Sequence, residues 1–180
     1  MIDRRLLLPF ISALIAGLAL AGCGPSAKEE VAANYCPNPL SVGDVERLTR
    51  FKPGPGRDPR DIVFEAAIGS ASTACAIKKN SMDVDLILRV AVNAGPSATA
   101  GVTHVPYFVR ILNGRNEVVQ GQEFNADFKL SQASPRGVSD EKLTLNLPFN
   151  KVSDLGSYRV AFGLMPTEQE LEYNRRSVAR

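Results

Sequence analysis

Between residues 81 and 93 the chain shows its clearest alternation. Met82, Val84, Leu86, Leu88, Val90 and Val92 are apolar, while Asp83, Asp85, Arg89 and Asn93 stand among the residues between them. A period of two marks a strand with one buried and one wet face, because successive side chains leave the pleat on opposite sides. The pattern recurs over 61–68, 73–78, 102–112, 118–130, 142–146 and 158–164, with Gly, Pro, Asn and Ser between the runs. Asn113-Gly114 carries the strongest hairpin signal, and Pro106 implies a bulge or an edge position within its strand. About seven such strands with no intervening helices predict an all-β fold, an antiparallel β-sandwich of immunoglobulin-like or fibronectin-like type. The likeness is architectural, since the chain has no Trp to pack beside an inter-sheet disulfide. An eight-stranded barrel is the alternative arrangement. At the C-terminus the period changes. Thr167 and Glu170 have capping-box spacing, and Glu168, Glu170 and Glu172 precede Arg175, Arg176 and Arg180. A short terminal helix follows, with Leu171 and Val178 as its chief apolar residues.

The N-terminus states an address. Arg4 and Arg5 precede an apolar run from Leu6 to Leu20, which ends in Ala21, Gly22 and Cys23. This is the layout of a secretory signal, shorter than the roughly 18 to 20 apolar residues of a membrane span. The order Leu-Ala-Gly-Cys resembles the lipobox of bacterial lipoproteins. That resemblance implies cleavage before Cys23, a diacylglycerol on its thiol and a third acyl chain on its amine. Each buried methylene contributes about 0.8 kcal/mol, so several chains anchor stably without a membrane-spanning helix. Gly24 stands where an Asp would resemble an inner-membrane retention signal, so the expected location is the outer membrane, facing the periplasm.

Export accounts for the other cysteines. With Cys23 lipidated, Cys36 and Cys75 form an even pair in an oxidising compartment, and a structural disulfide is expected. No Cys-x-x-Cys spacing marks a redox-active pair, and one histidine with three cysteines does not make a zinc site. The expected organisation is a signal peptide over 1–22, a flexible tether over 23–35 and a single domain over 36–180. Removing 1–22 takes Arg4, Arg5 and Asp3 from totals of 21 basic and 19 acidic residues, leaving a near-neutral mature chain. That balance gives no case for nucleic acid as a partner. No cofactor is expected.

Residues 44–61 form the most unusual segment. Arg47, Arg50, Lys52, Arg57 and Arg60 surround Pro53-Gly54-Pro55-Gly56, whose Pro-Gly pairs favour tight turns. These cations form a candidate partner-binding loop for lipid headgroups, anionic polysaccharide or a protein. The plainer reading is a solvated turn whose charges pair with Glu46, Asp58 and Asp61. Elsewhere chemistry is sparse. His104 lies in a strand with no nucleophile turn beside it, and Asp83 and Asp85 share a strand face without a calcium-binding loop. No catalytic site is expected.

Lipobox, Cys36-Pro37, Arg47-Leu48-Thr49-Arg50-Phe51 leading into Pro53-Gly54-Pro55-Gly56-Arg57-Asp58, Pro106-Tyr107-Phe108-Val109 and Leu171-Glu172-Tyr173-Asn174-Arg175-Arg176 together resemble a family of uncharacterised proteobacterial lipoproteins. The resemblance implies compartment and domain extent, and no activity. Two function classes stand. One is a lipid-anchored interaction module that binds another envelope protein by a strand edge or the basic loop. The other is a periplasmic small-molecule or lipid binder, which requires an apolar cavity.

Overall fold

The computed structural model describes residues 26–54, 57–131 and 133–178. The signal segment and Cys23 lie outside the described residues, as do Pro55 and Gly56 of the basic turn and the side chain of Val178. Among the described residues eight strands form two open four-stranded sheets, packed as a sandwich rather than closed as a barrel. They are β1 (Pro39–Ser41), β2 (Arg47–Phe51), β3 (Ile62–Ile77), β4 (Ser81–Ala94), β5 (Gly101–Leu112), β6 (Val118–Leu130), β7 (Arg136–Pro148) and β8 (Arg159–Leu164). One sheet has the order β1-β8-β5-β6 and the other β2-β3-β4-β7. Neighbouring strands are antiparallel except β1, which runs parallel to β8.

The alternating apolar residues make the core. Met82, Val84, Leu86, Leu88, Val90 and Val92 of β4 are all buried, facing Val105, Tyr107, Val109 and Ile111 of β5 and Val160, Phe162 and Leu164 of β8. Each such side chain contributes roughly 1.5 to 3 kcal/mol on burial, which commits the strand faces to one side.

The 61–78 region differs from its reading as two short strands with a turn. It is one continuous strand, β3, with a bulge between Ile68 and Ser70. Gly69 is absorbed as an unpaired residue instead of reversing the chain. The extra residue inverts the alternation: Ile62, Phe64 and Ala66 face the core before it, whereas Ala71, Thr73, Cys75 and Ile77 do so after it. Cys75 thereby reaches Cys36, and the expected disulfide is present with Cα atoms 5.6 Å apart.

Residues 27–35, read as part of a flexible tether, form a helix, α1 (Ala27–Tyr35). Ser26 and Glu29 close a capping box: the Ser26 N–H donates to the Glu29 carboxylate at 2.6 Å, and the Glu29 N–H donates to Ser26 Oγ at 3.3 Å. The Ser26 N–H, with the Ser26 hydroxyl beside it, holds the Glu29 carboxyl below its ordinary range. The helix lacks an apolar stripe because alanines suffice for its contact; Ala32 is buried, and the Tyr35 ring lies against Gly156.

Pro106 produces neither a bulge nor an edge. β5 lies between β8 and β6, and its irregularity falls at Ile111 and Leu112. β8 ends at Leu164, so the missing donor falls where the ladder stops, while the Pro106 carbonyl still accepts from the Met165 N–H at 3.0 Å. At the β5–β6 turn Asn116, rather than Gly114, takes the left-handed conformation, with φ of 61°. The Asn113 side-chain oxygen accepts from the N–H groups of Arg115 and Glu117, which fixes this longer connection.

The terminal helix α2 (Glu168–Val178) starts as expected. The Thr167 N–H donates to Glu170 at 2.8 Å and the Glu170 N–H donates back to Thr167 Oγ1 at 3.4 Å. It packs over edge strand β2, with the rings of Tyr173 and Phe51 meeting edge to face at 5.0 Å.

Candidate functional site

The Arg47-to-Phe51 part of the segment read as a loop is strand β2, hydrogen-bonded to β3. Pairing decides where its cations go. Arg50 stands opposite Phe64, with its guanidinium 6.0 Å from the ring centre and 3.1 Å from the buried Glu170 carboxylate. That contact is ionic without the alignment of a directed hydrogen bond. Beyond the strand, Lys52 pairs with Asp61 at 3.9 Å. Arg60 makes a two-point bond with Asp58, which together with the Arg60 N–H lowers the Asp58 carboxyl to about 2. Arg57 lies over the Phe51 ring at 5.3 Å and donates to the Gly54 carbonyl at 3.1 Å. Arg50, Lys52, Arg57 and Arg60 are therefore engaged within the chain, and Arg47 is separated from them on the opposite face of β2.

Arg47 borders a surface groove of about 940 Å³ on the outer face of the sheet. Register builds its floor in two rows. Arg47, Ala67 and Ala91 follow one another across the strands, and beside them run Thr49, Glu65 and Asn93. The small side chains of Ala67 and Ala91 leave the depression. One wall is α2, through Tyr173, Asn174 and Arg175, joined by the 43–46 turn. Two bonds clamp that wall: Asn174 Nδ2 donates to the Arg47 carbonyl at 2.7 Å, and Arg175 Nε donates to Asp44 at 2.7 Å. Neither the Arg47 guanidinium nor the Glu65 carboxylate has an ion-pair partner among the described residues. The groove thus offers opposite charges at one end of an alanine floor, open to solvent.

The remaining candidates are accounted for by neighbours. His104 Nδ1 lies 2.6 Å from Asp127 Oδ1 on an exposed strand face. Asp83 takes bonds from Lys78 and Asn146, which lower its carboxyl, and Asp85 accepts from Thr144 at 2.7 Å. Among the described residues no group of three or more His, Cys, Asp or Glu side chains could hold a metal ion. Two features escaped the sequence reading. The groove depends on where α2 docks, and the half-buried Glu141 lies on the core side of β7, accepting from Tyr107 at 3.3 Å and Ser139 at 2.6 Å. Burial, with the Glu141 charge, pushes the Tyr107 hydroxyl well above its ordinary value. Alternation around Glu141 was the available sign, since an acid at an inward position breaks the apolar row.

Fold and groove together define a β-sandwich with a filled interior and an open, charged surface groove. Comparisons with protein-family models, curated proteins and solved structures give no match to this chain.

Proposed function

We propose that this chain is a lipid-anchored cell-envelope protein, held at the outer membrane through Cys23, that acts as a non-catalytic interaction module for another envelope protein. The observation that carries the reading is the groove beside α2. Its Arg47 and Glu65, diagonal to one another beside a shallow alanine floor and without ion-pair partners among the described residues, suit an extended polypeptide segment with neighbouring acidic and basic side chains. The packed side chains between the sheets weigh against the alternative, a small molecule or lipid held there. The basic turn adds a direction. It precedes β3, whereas Cys75 lies near the end of that strand, about 40 Å away at the usual rise per residue. The turn is thus remote from where the N-terminal segment joins the sheet, which favours a protein surface over the headgroups of the bilayer bearing the anchor.

The test is crosslinking in intact cells, affinity recovery and mass spectrometry on the native chain, Cys23→Ala and Arg47→Glu. Arg47 is the informative position, because Arg50→Glu would break the contact with Glu170 and disturb α2 itself. One specific partner is expected with the native chain, lost with Arg47→Glu while circular dichroism is unchanged, and diminished when Cys23 is replaced. Absence of a partner from every sample would sink the reading, and a small molecule retained in native mass spectrometry would put the ligand-binding alternative in its place.

A further inference from the structure

The sheet edges are not equally guarded. β1 has 3 residues, and β2 is overlaid by α2. β7 carries the inward-facing Glu141 and ends at Pro148, two devices that discourage pairing with another chain. β6 has 13 residues, no proline and no charge among its core-facing residues Phe124, Ala126, Phe128 and Leu130. Its backbone direction follows from Pro106, which stands opposite Asn125. Pro106 has no N–H and its carbonyl is directed to Met165 on the β8 side, so Asn125 is at a position not bonded to β5. Its N–H and C=O face the open edge, and by alternation so do those of Glu123, Asp127 and Lys129.

We propose that this edge is a self-association surface, on which two copies pair β6 antiparallel about a two-fold axis at Ala126 and continue the β1-β8-β5-β6 sheet across both. Charge complementarity selects this occupant and this register. Centring on Ala126 sets Glu123 opposite Lys129 of the second copy and Asn125 opposite Asp127 of the second copy, each contact occurring twice by symmetry. Neither Glu123 nor Lys129 has an ion-pair partner among the described residues of its own chain. The register also sets Phe124 opposite Phe128 of the second copy. Phe124 is half-buried and stacked on Tyr107 at 5.3 Å, and the pairing brings a second aromatic ring to it. The surface is separate from the α2 groove and does not depend on it.

The test is sedimentation equilibrium of the full chain in mild detergent at low salt, comparing native protein, Glu123→Lys, Lys129→Glu and the double variant. All four are checked by circular dichroism and thermal melting. Native protein should sediment at twice the chain mass. Each single reversal should weaken association by about tenfold or more, because two attractive pairs become two repulsive ones, and the double reversal should restore it. Sharing of a micelle would not follow this cycle. Hydrogen exchange on native protein supplies a second readout: the amides of Glu123, Asn125, Asp127 and Lys129 should slow as concentration rises. A native chain that sediments as one copy at every concentration, single reversals without effect, or a folded double variant that stays dissociated would each overturn the proposal.

Discussion

Tyr107 shows how one inward polar group is accommodated. The residue is 1% exposed and belongs to the core, and its hydroxyl donates to the half-buried Glu141. Burial disfavours the phenolate, and the nearby carboxylate charge disfavours it further. The sign for stability follows. Below the ordinary tyrosine value both folded and unfolded chains keep the proton; above it the unfolded chain releases a proton that the folded chain retains. Stability should therefore fall as pH rises past about 10. Tyr107→Phe should cost about 1 kcal/mol at neutral pH, where the hydrogen bond is lost, and should flatten the alkaline limb. Urea unfolding from pH 7 to 11 would measure both, and an unchanged alkaline slope would exclude Tyr107 as its source. At the same scale, Arg50 illustrates what a residue list omits. Its charge was legible as a candidate contact, but only the pairing of β2 with β3 directs it to Glu170 and Phe64.

Among elements, α2 has the most local support in sequence and the least in its placement. Thr167 and Glu170 announce its start, and the same Glu170 that closes the capping box also meets Arg50. Two functions on one buried carboxylate tie helix formation to docking. Glu170→Ala should loosen α2 through both, and Arg50→Ala should cost about 2 kcal/mol, below the range for a wholly buried pair because Arg50 remains a third exposed. Hydrogen exchange over 168–178 together with denaturant unfolding would check this. Unchanged protection in both variants would show that Tyr173 and Asn174 hold the helix without the ion pair. β3 and α1 teach complementary lessons. Gly69 looks like a turn until pairing with β4 on both sides of it makes a bulge cheaper than a reversal. α1 has no apolar period to reveal it, yet Ser26 and Glu29 carry the same capping spacing that identified α2.

In the whole molecule, the disulfide joins the end of α1 to the far part of β3 across a separation of 39 residues. Replacing Cys36 and Cys75 together by Ser should cost roughly 4 kcal/mol in the chain-entropy view. Thermal unfolding with and without reductant would measure it; equal melting of the two forms would mean that α1 packing alone closes the loop. Sequence alone determined the strand periods, the core residues of β4, β5 and β8 and the helix that Thr167 precedes, because each depends on spacing along one segment, and the cysteine count paired Cys36 with Cys75. The tertiary structure alone decided the sheet order, the parity change at Gly69, the dispersal of the basic segment and the groove under α2. These depend on which strands become neighbours, and that choice is made by burial shared among segments far apart in the chain.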